Sequence, residues 1–258
     1  MMNTLRAAFK ILLLILWTIP LVLIQMVVML FSRDKGSYYV PQLWHRGIAC
    51  IVGLKVEVDG VAPSSAQTIF VSNHLSYLDI FAIGSHLRAS FVAKEDIAHW
   101  PVIGFLCTVQ QTAFISRASR EAKKVANSLG NMLKEGKSLI LFPEGTSTSG
   151  QDMLPFKSSL FSLVQDSSNG QSVQIQPFTL QLLETDGKPL DPATASWDLY
   201  SWYADMEFGP HFWAFLKQSG AKVRLTFHPV IVPSPADDRK TLAKAAWDSV
   251  SAGLPRRT

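Results

Sequence analysis

Cysteine is scarce. The 258 residues contain only Cys50 and Cys107, at a separation that fits neither a metal-ligand pair nor a redox motif. This excludes a disulfide framework and a thiolate cluster, and the pair reads as two buried thiols of a reducing compartment. Long basic runs are missing as well: 24 Lys and Arg against 20 Asp and Glu leave a net charge of +4. So modest an excess suits an anionic membrane surface or small anionic ligands, and argues against a nucleic-acid partner. There is no G-x-S-x-G elbow for a serine hydrolase; the run Gly145-Thr146-Ser147-Thr148-Ser149-Gly150 misses it by one position. A metal hydrolase would need more ligands at defined spacing than the one histidine in a convincing motif supplies. Internal repeats and low-complexity tracts are absent too.

What the chain does have is apolar mass. Nearly half of it is hydrophobic (48%), enough for one large domain with an appendage. The appendage is the uncharged run from Ile11 to Leu30, flanked by Arg6 and Lys10 before it and Arg33 and Lys35 after it. As a helix it would be roughly 30 Å long, about the hydrocarbon thickness of a bilayer. It is too long for the apolar core of a cleaved signal, and no small-residue cleavage site follows. Pro20 and Gln25 interrupt it, so a kinked span and a re-entrant hairpin both fit. Residues 1–36 are therefore expected to form a membrane anchor and 37–258 the folded domain. Basic residues on both flanks leave its orientation open.

Beyond the anchor, Tyr39 to Gly53 reads as an amphipathic helix in which Trp44 and Arg46 face an interface and His45 is interfacial or packs, followed by an alternating strand, Leu54 to Val58. Short apolar strands recur at Thr68–Val71, Ser90–Ala93, Thr112–Ser116, Ser138–Phe142 and Val223–Val232. Between them lie helical patterns: Leu78–Leu87, a stripe from Ala122 to Leu133 stopped by Gly136, and Asp237–Val250. Alternating strands and helices predict an α/β domain with its functional groups at strand ends. The aromatic block from Trp197 to Phe215 reads as core packing or as a belt at a lipid surface.

Polar groups do terminate these strands. Val71 is followed by Ser72-Asn73-His74, with Asp79 five positions after the histidine; Lys94, Arg117 and Glu144 end three others. A carboxylate on one imidazole nitrogen leaves the other free to take a proton, so His74 and Asp79 suit a general base and its orienting partner. Five residues is about 140° around a helix, so the two can meet only if His74 lies in the loop before the helix and reaches back over its N-terminus. Alone, the pair reads equally well as a helix cap and a first-turn acid.

The ordered set resembles the glycerolipid acyltransferase family. Asn73-His74 with Asp79 is similar to its NHxxxxD motif, Phe114-Ile115-Ser116-Arg117 to its second motif, and Phe142-Pro143-Glu144-Gly145-Thr146 to its FPEGT motif. Val173 to Phe178 resembles the apolar, proline-containing fourth, so the likeness spans most of residues 10–180. It implies a mixed sheet flanked by helices, with His74 as base, Asp79 orienting it, and Asn73, Lys94, Arg117, Glu144, Gly145 and Thr146 binding substrate. It implies no cofactor; the acyl donor is a thioester, acyl-CoA or acyl-carrier protein, and the acceptor a lysolipid. It also places the protein at a bacterial-type inner membrane, its catalytic domain facing the cytoplasm. The first expectation is acylation of 1-acyl-sn-glycerol-3-phosphate to phosphatidic acid. Ser147 departs from the pattern, because many members have arginine there, implicated in holding the acceptor's phosphate. A serine brings neither charge nor a bidentate fork. The run FPEGTSTSGQDMLPFKSSLF, which includes Leu154-Pro155-Phe156-Lys157, is similar to the branch that acylates lyso-ornithine lipid, a phosphorus-free acceptor. A non-catalytic, membrane-anchored lipid-binding protein is the expectation from another class.

Overall fold

The computed structural model describes residues 2–62, 66–116, 122–162, 173–190, 195–234 and 236–255. Helix α1 (Met2–Phe31) runs without a break through Pro20, so the apolar segment is one helix and not a hairpin. A turn at Lys35–Tyr38 leads into α2 (Tyr39–Val52), which ends at Gly53 in the left-handed conformation. The domain then runs β1 (Leu54–Asp59), β2 (Thr68–Val71), α3 (Leu78–Gly84), β3 (Ser90–Lys94), α4 (Ile103–Val109), β4 (Ala113–Ile115), α5 (Ala122–Lys134) and β5 (Leu139–Leu141). It closes with β6 (Gln174–Thr185), β7 (Lys188–Pro189), α6 (Phe208–Leu216), β8 (Ala221–Phe227) and α7 (Arg239–Ala252).

The sheet order is β1-β8-β6-β2-β5-β3-β4, with β7 added to β6. Strands β6, β2, β5, β3 and β4 run parallel, while β8 lies antiparallel to β6. The short central strands are apolar on both faces because both are covered: Ile69, Phe70 and Val71 of β2 and all three residues of β5 are buried. Phe70 and Ile140 point into a core shared with α2 and α3, and Ile69, Val71, Leu139 and Leu141 point into a second core shared with α7. Toward the β1 edge one face is open, and β8 alternates: Val223 and Leu225 are buried, while Lys222 and Arg224 pair outward with Glu57 at 2.6 and 2.8 Å. The strand expected to reach Val232 ends at Phe227, and Ile231 rejoins Ile175 only as an isolated bridge. Four parallel strands, β2, β5, β3 and β4, thus bring their carboxyl ends to one edge.

One expectation changes and another is decided. Cys50 is exposed on the outer side of α2, because the inner side is taken by His45, Ile48, Ala49 and Val52, and Cys107, on α4, is half-buried. Of the two readings of His45, packing holds. The side chain is buried against Phe81 and Phe91 and accepts a hydrogen bond from Gln110, and burial pushes its pKa down to about 3, so it packs as a neutral ring.

Candidate active site

His74 leaves β2 in an extended loop before α3, and its ring reaches back over the helix start as the spacing required. Nδ1 lies 2.8 Å from Asp79 Oδ2. Asp79 is fully buried in the first turn of α3, and the same oxygen also accepts the N–H groups of Leu75 (2.7 Å) and Ser76 (3.0 Å). Those are orphan donors ahead of a helix, which favour a carboxylate at this position. The remaining oxygen, Oδ1, accepts the Tyr200 hydroxyl at 2.7 Å. Both oxygens of the acid accept from other donors, so it serves the ring as an acceptor as well: the imidazole proton belongs on Nδ1 and the lone pair on Nε2. The His74 side chain keeps 20% of its surface exposed, so that lone pair can meet a substrate.

The ring is fixed on its face as well. It stacks on Phe142 with centroids 4.0 Å apart and planes 13° apart, and Phe142 is backed by Phe91. Its backbone is held by the loop after β5. Glu144, 2% exposed, accepts the His74 N–H through Oε1 at 2.8 Å and the Leu154 N–H through Oε2 at 2.7 Å. Burial pushes this carboxyl up to about 7 against the two N–H bonds, which pull it down. Thr148 N–H returns to the His74 carbonyl at 2.9 Å. Gly145 turns the loop with φ +74° and its N–H closes on the Phe142 carbonyl at 3.0 Å.

The sequence-predicted residues therefore divide. His74, Asp79, Glu144 and Gly145 come together, with Thr146 exposed beside them. Asn73 is buried, and its amide bonds both backbone groups of Leu180 at 2.9 Å, continuing the β2–β6 ladder past Pro177, so it positions the loop. Lys94 is half-buried at the end of β3, on the same sheet edge. Arg117 lies outside the described residues. Ser147 turns its hydroxyl away, onto the Trp202 carbonyl at 2.5 Å. Sequence reasoning missed Tyr200, whose role is invisible in a block of aromatics, and Phe142, read only as part of a motif.

An acyltransferase family profile matches residues 54–181. Lyso-ornithine lipid O-acyltransferase of Rhodobacter capsulatus is 37% identical over 211 residues, 81% of this chain and 73% of that protein. The chain belongs to the glycerolipid acyltransferase family. Another member, 1-acyl-sn-glycerol-3-phosphate acyltransferase of Neisseria meningitidis, is 28% identical over 80% of this chain and 77% of its own length. The crystal structure of the 1-acyl-sn-glycerophosphate (LPA) acyltransferase PlsC from Thermotoga maritima shares the fold. It superimposes with a TM-score of 0.67 at 19% identity, covering 98% of this chain and 99% of that one. As a family member the chain is an acyltransferase acting on a lysolipid acceptor, related to enzymes of both acceptor types.

Proposed function

We propose that the protein transfers an acyl chain from a thioester to the hydroxyl of lyso-ornithine lipid. His74 Nε2 takes the proton as the acceptor oxygen attacks the thioester carbonyl, and Asp79 stabilises the imidazolium that forms. The carbon–sulfur bond then breaks, and the thiolate leaves with that proton. No acyl-enzyme is required. Residues 1–36 act as the membrane anchor and 37–258 as the catalytic domain, which faces the cytoplasm, where acyl-CoA and acyl-carrier protein reside.

The observation that carries the choice of acceptor is Ser147. The position that holds an arginine for phosphate in many relatives has no charge here, and its hydroxyl is engaged by Trp202. The 37% identity to a lyso-ornithine lipid enzyme supports the same reading over phosphatidate formation, the first expectation from sequence. The test offers purified enzyme lyso-ornithine lipid and lysophosphatidic acid side by side with one thioester donor. At least a tenfold higher kcat/KM on the ornithine lipid is expected; preference for lysophosphatidic acid would restore the phosphatidate reading.

A further inference from the structure

The turn that holds His74 has a cation over it, contributed from outside the turn. A Cβ placed on Gly145 would fall 2.3 Å from Lys157 Nζ and 2.9 Å from its Cε, so the lysine chain lies across the bare face of the glycine. Its backbone is anchored: the Lys157 N–H donates to the Pro143 carbonyl at 2.9 Å, and Phe156 and Phe161 on either side are buried. The side chain is nevertheless exposed, and among the described residues no acid pairs with its ammonium. Glu144, next to Gly145 in the chain, turns inward with both oxygens on backbone N–H groups. An ammonium held beside a catalytic loop without an internal counter-ion is arranged for an external one.

We propose that Lys157 binds the anionic group of the acceptor head, in the place that a charge at position 147 would otherwise serve. The inference rests on the lysolipid acyltransferase reading above. The shared chemistry is a single accessible anion: the carboxylate of an ornithine head group or the phosphate of lysophosphatidic acid. Gly145 is part of the device, since any side chain there would occupy the lysine's seat.

The test is the KM of each substrate in Lys157→Gln and Lys157→Arg. Lys157→Gln should raise the acceptor KM at least tenfold and leave the thioester KM within twofold, and Lys157→Arg should recover most of the loss. With the methyl ester of lyso-ornithine lipid, whose carboxylate is neutralised, wild type and Lys157→Gln should become equal. Running lysophosphatidic acid in parallel tells which anion the lysine serves. An unchanged acceptor KM, a rise in the thioester KM instead, or an equal penalty on the methyl ester would overturn the assignment while leaving the acyltransferase reading intact. Wild-type enzyme inactive on both acceptors would overturn the two together.

Discussion

At the scale of residues, the proposed catalytic pair, His74 and Asp79, owes its geometry to the groups bonded to it. Asp79 presents one oxygen to His74 and two N–H groups, while the other oxygen is aimed by Tyr200. Tyr200 is completely buried, and burial beside Asp79 raises its pKa well above the ordinary phenol value, so it remains a donor throughout the physiological range. Removing the hydroxyl leaves a buried carboxylate oxygen without a partner, a loss of about 1.5–3 kcal/mol for a hydrogen bond to a charged group. Tyr200→Phe is expected to lower kcat about tenfold to a hundredfold while the acceptor KM stays within threefold. Steady-state kinetics on the folded variant checks this, and an unchanged kcat would remove Tyr200 from the positioning set.

At the scale of elements, the site is two loops, the one after β2 and the long one after β5, tied together by one acid. Glu144, after β5, bonds the His74 loop after β2 and, further along its own loop, the Leu154 N–H. Its carboxyl titrates near 7 when folded, against an ordinary 4.5, so between those values the native state holds a proton that the unfolded chain has lost. Its contribution to stability is therefore complete below about 4.5 and declines as the pH rises to about 7, by about 3 kcal/mol at most. Denaturant midpoints measured from pH 4.5 to 8 should show that decline, and Glu144→Gln should flatten it. Equal slopes in the two proteins would mean that Glu144 does not titrate there. Much of this level was legible in the sequence. Short apolar strands, the stripe of α5 and the polar strand ends are periodic or abrupt signals, and they placed β2, β3, β4, β5 and the His74 loop, while β6, the longest strand of the sheet, was visible only as a proline-containing motif. What was not legible is which polar group faces inward: Asn73 and Glu144 read as ligand contacts, yet their hydrogen bonds go to backbone groups that only the folded sheet brings near.

For the whole molecule, the question is how a helix long and apolar enough to cross a membrane meets the rest of the fold. Helix α1 is apolar on all sides, so periodicity cannot distinguish its faces. The fold makes the distinction: Ala7, Lys10, Leu21 and Gln25 are buried against the protein, while Leu5, Phe9, Leu12, Leu16, Ile19 and Leu23 form an exposed stripe. Gln25, which a lipid environment would leave wanting a partner, donates to the Val109 carbonyl at 3.4 Å. Trp17 and Trp44 lock α1 to α2 by bonding the Trp44 carbonyl and the Thr18 hydroxyl. Among the described helices, α1 is long and apolar enough to cross a membrane. Under the proposed function, membrane attachment and proton transfer reside on different parts of the chain and should separate cleanly. His74→Ala, assayed in membranes with a thioester and a lysolipid, is the most direct measurement of the proposed chemistry. Activity should fall about a hundredfold to ten-thousandfold, the usual contribution of a general base, while the protein stays in the membrane fraction at wild-type level. Activity within a few-fold of wild type in that fraction would contradict His74 as the base.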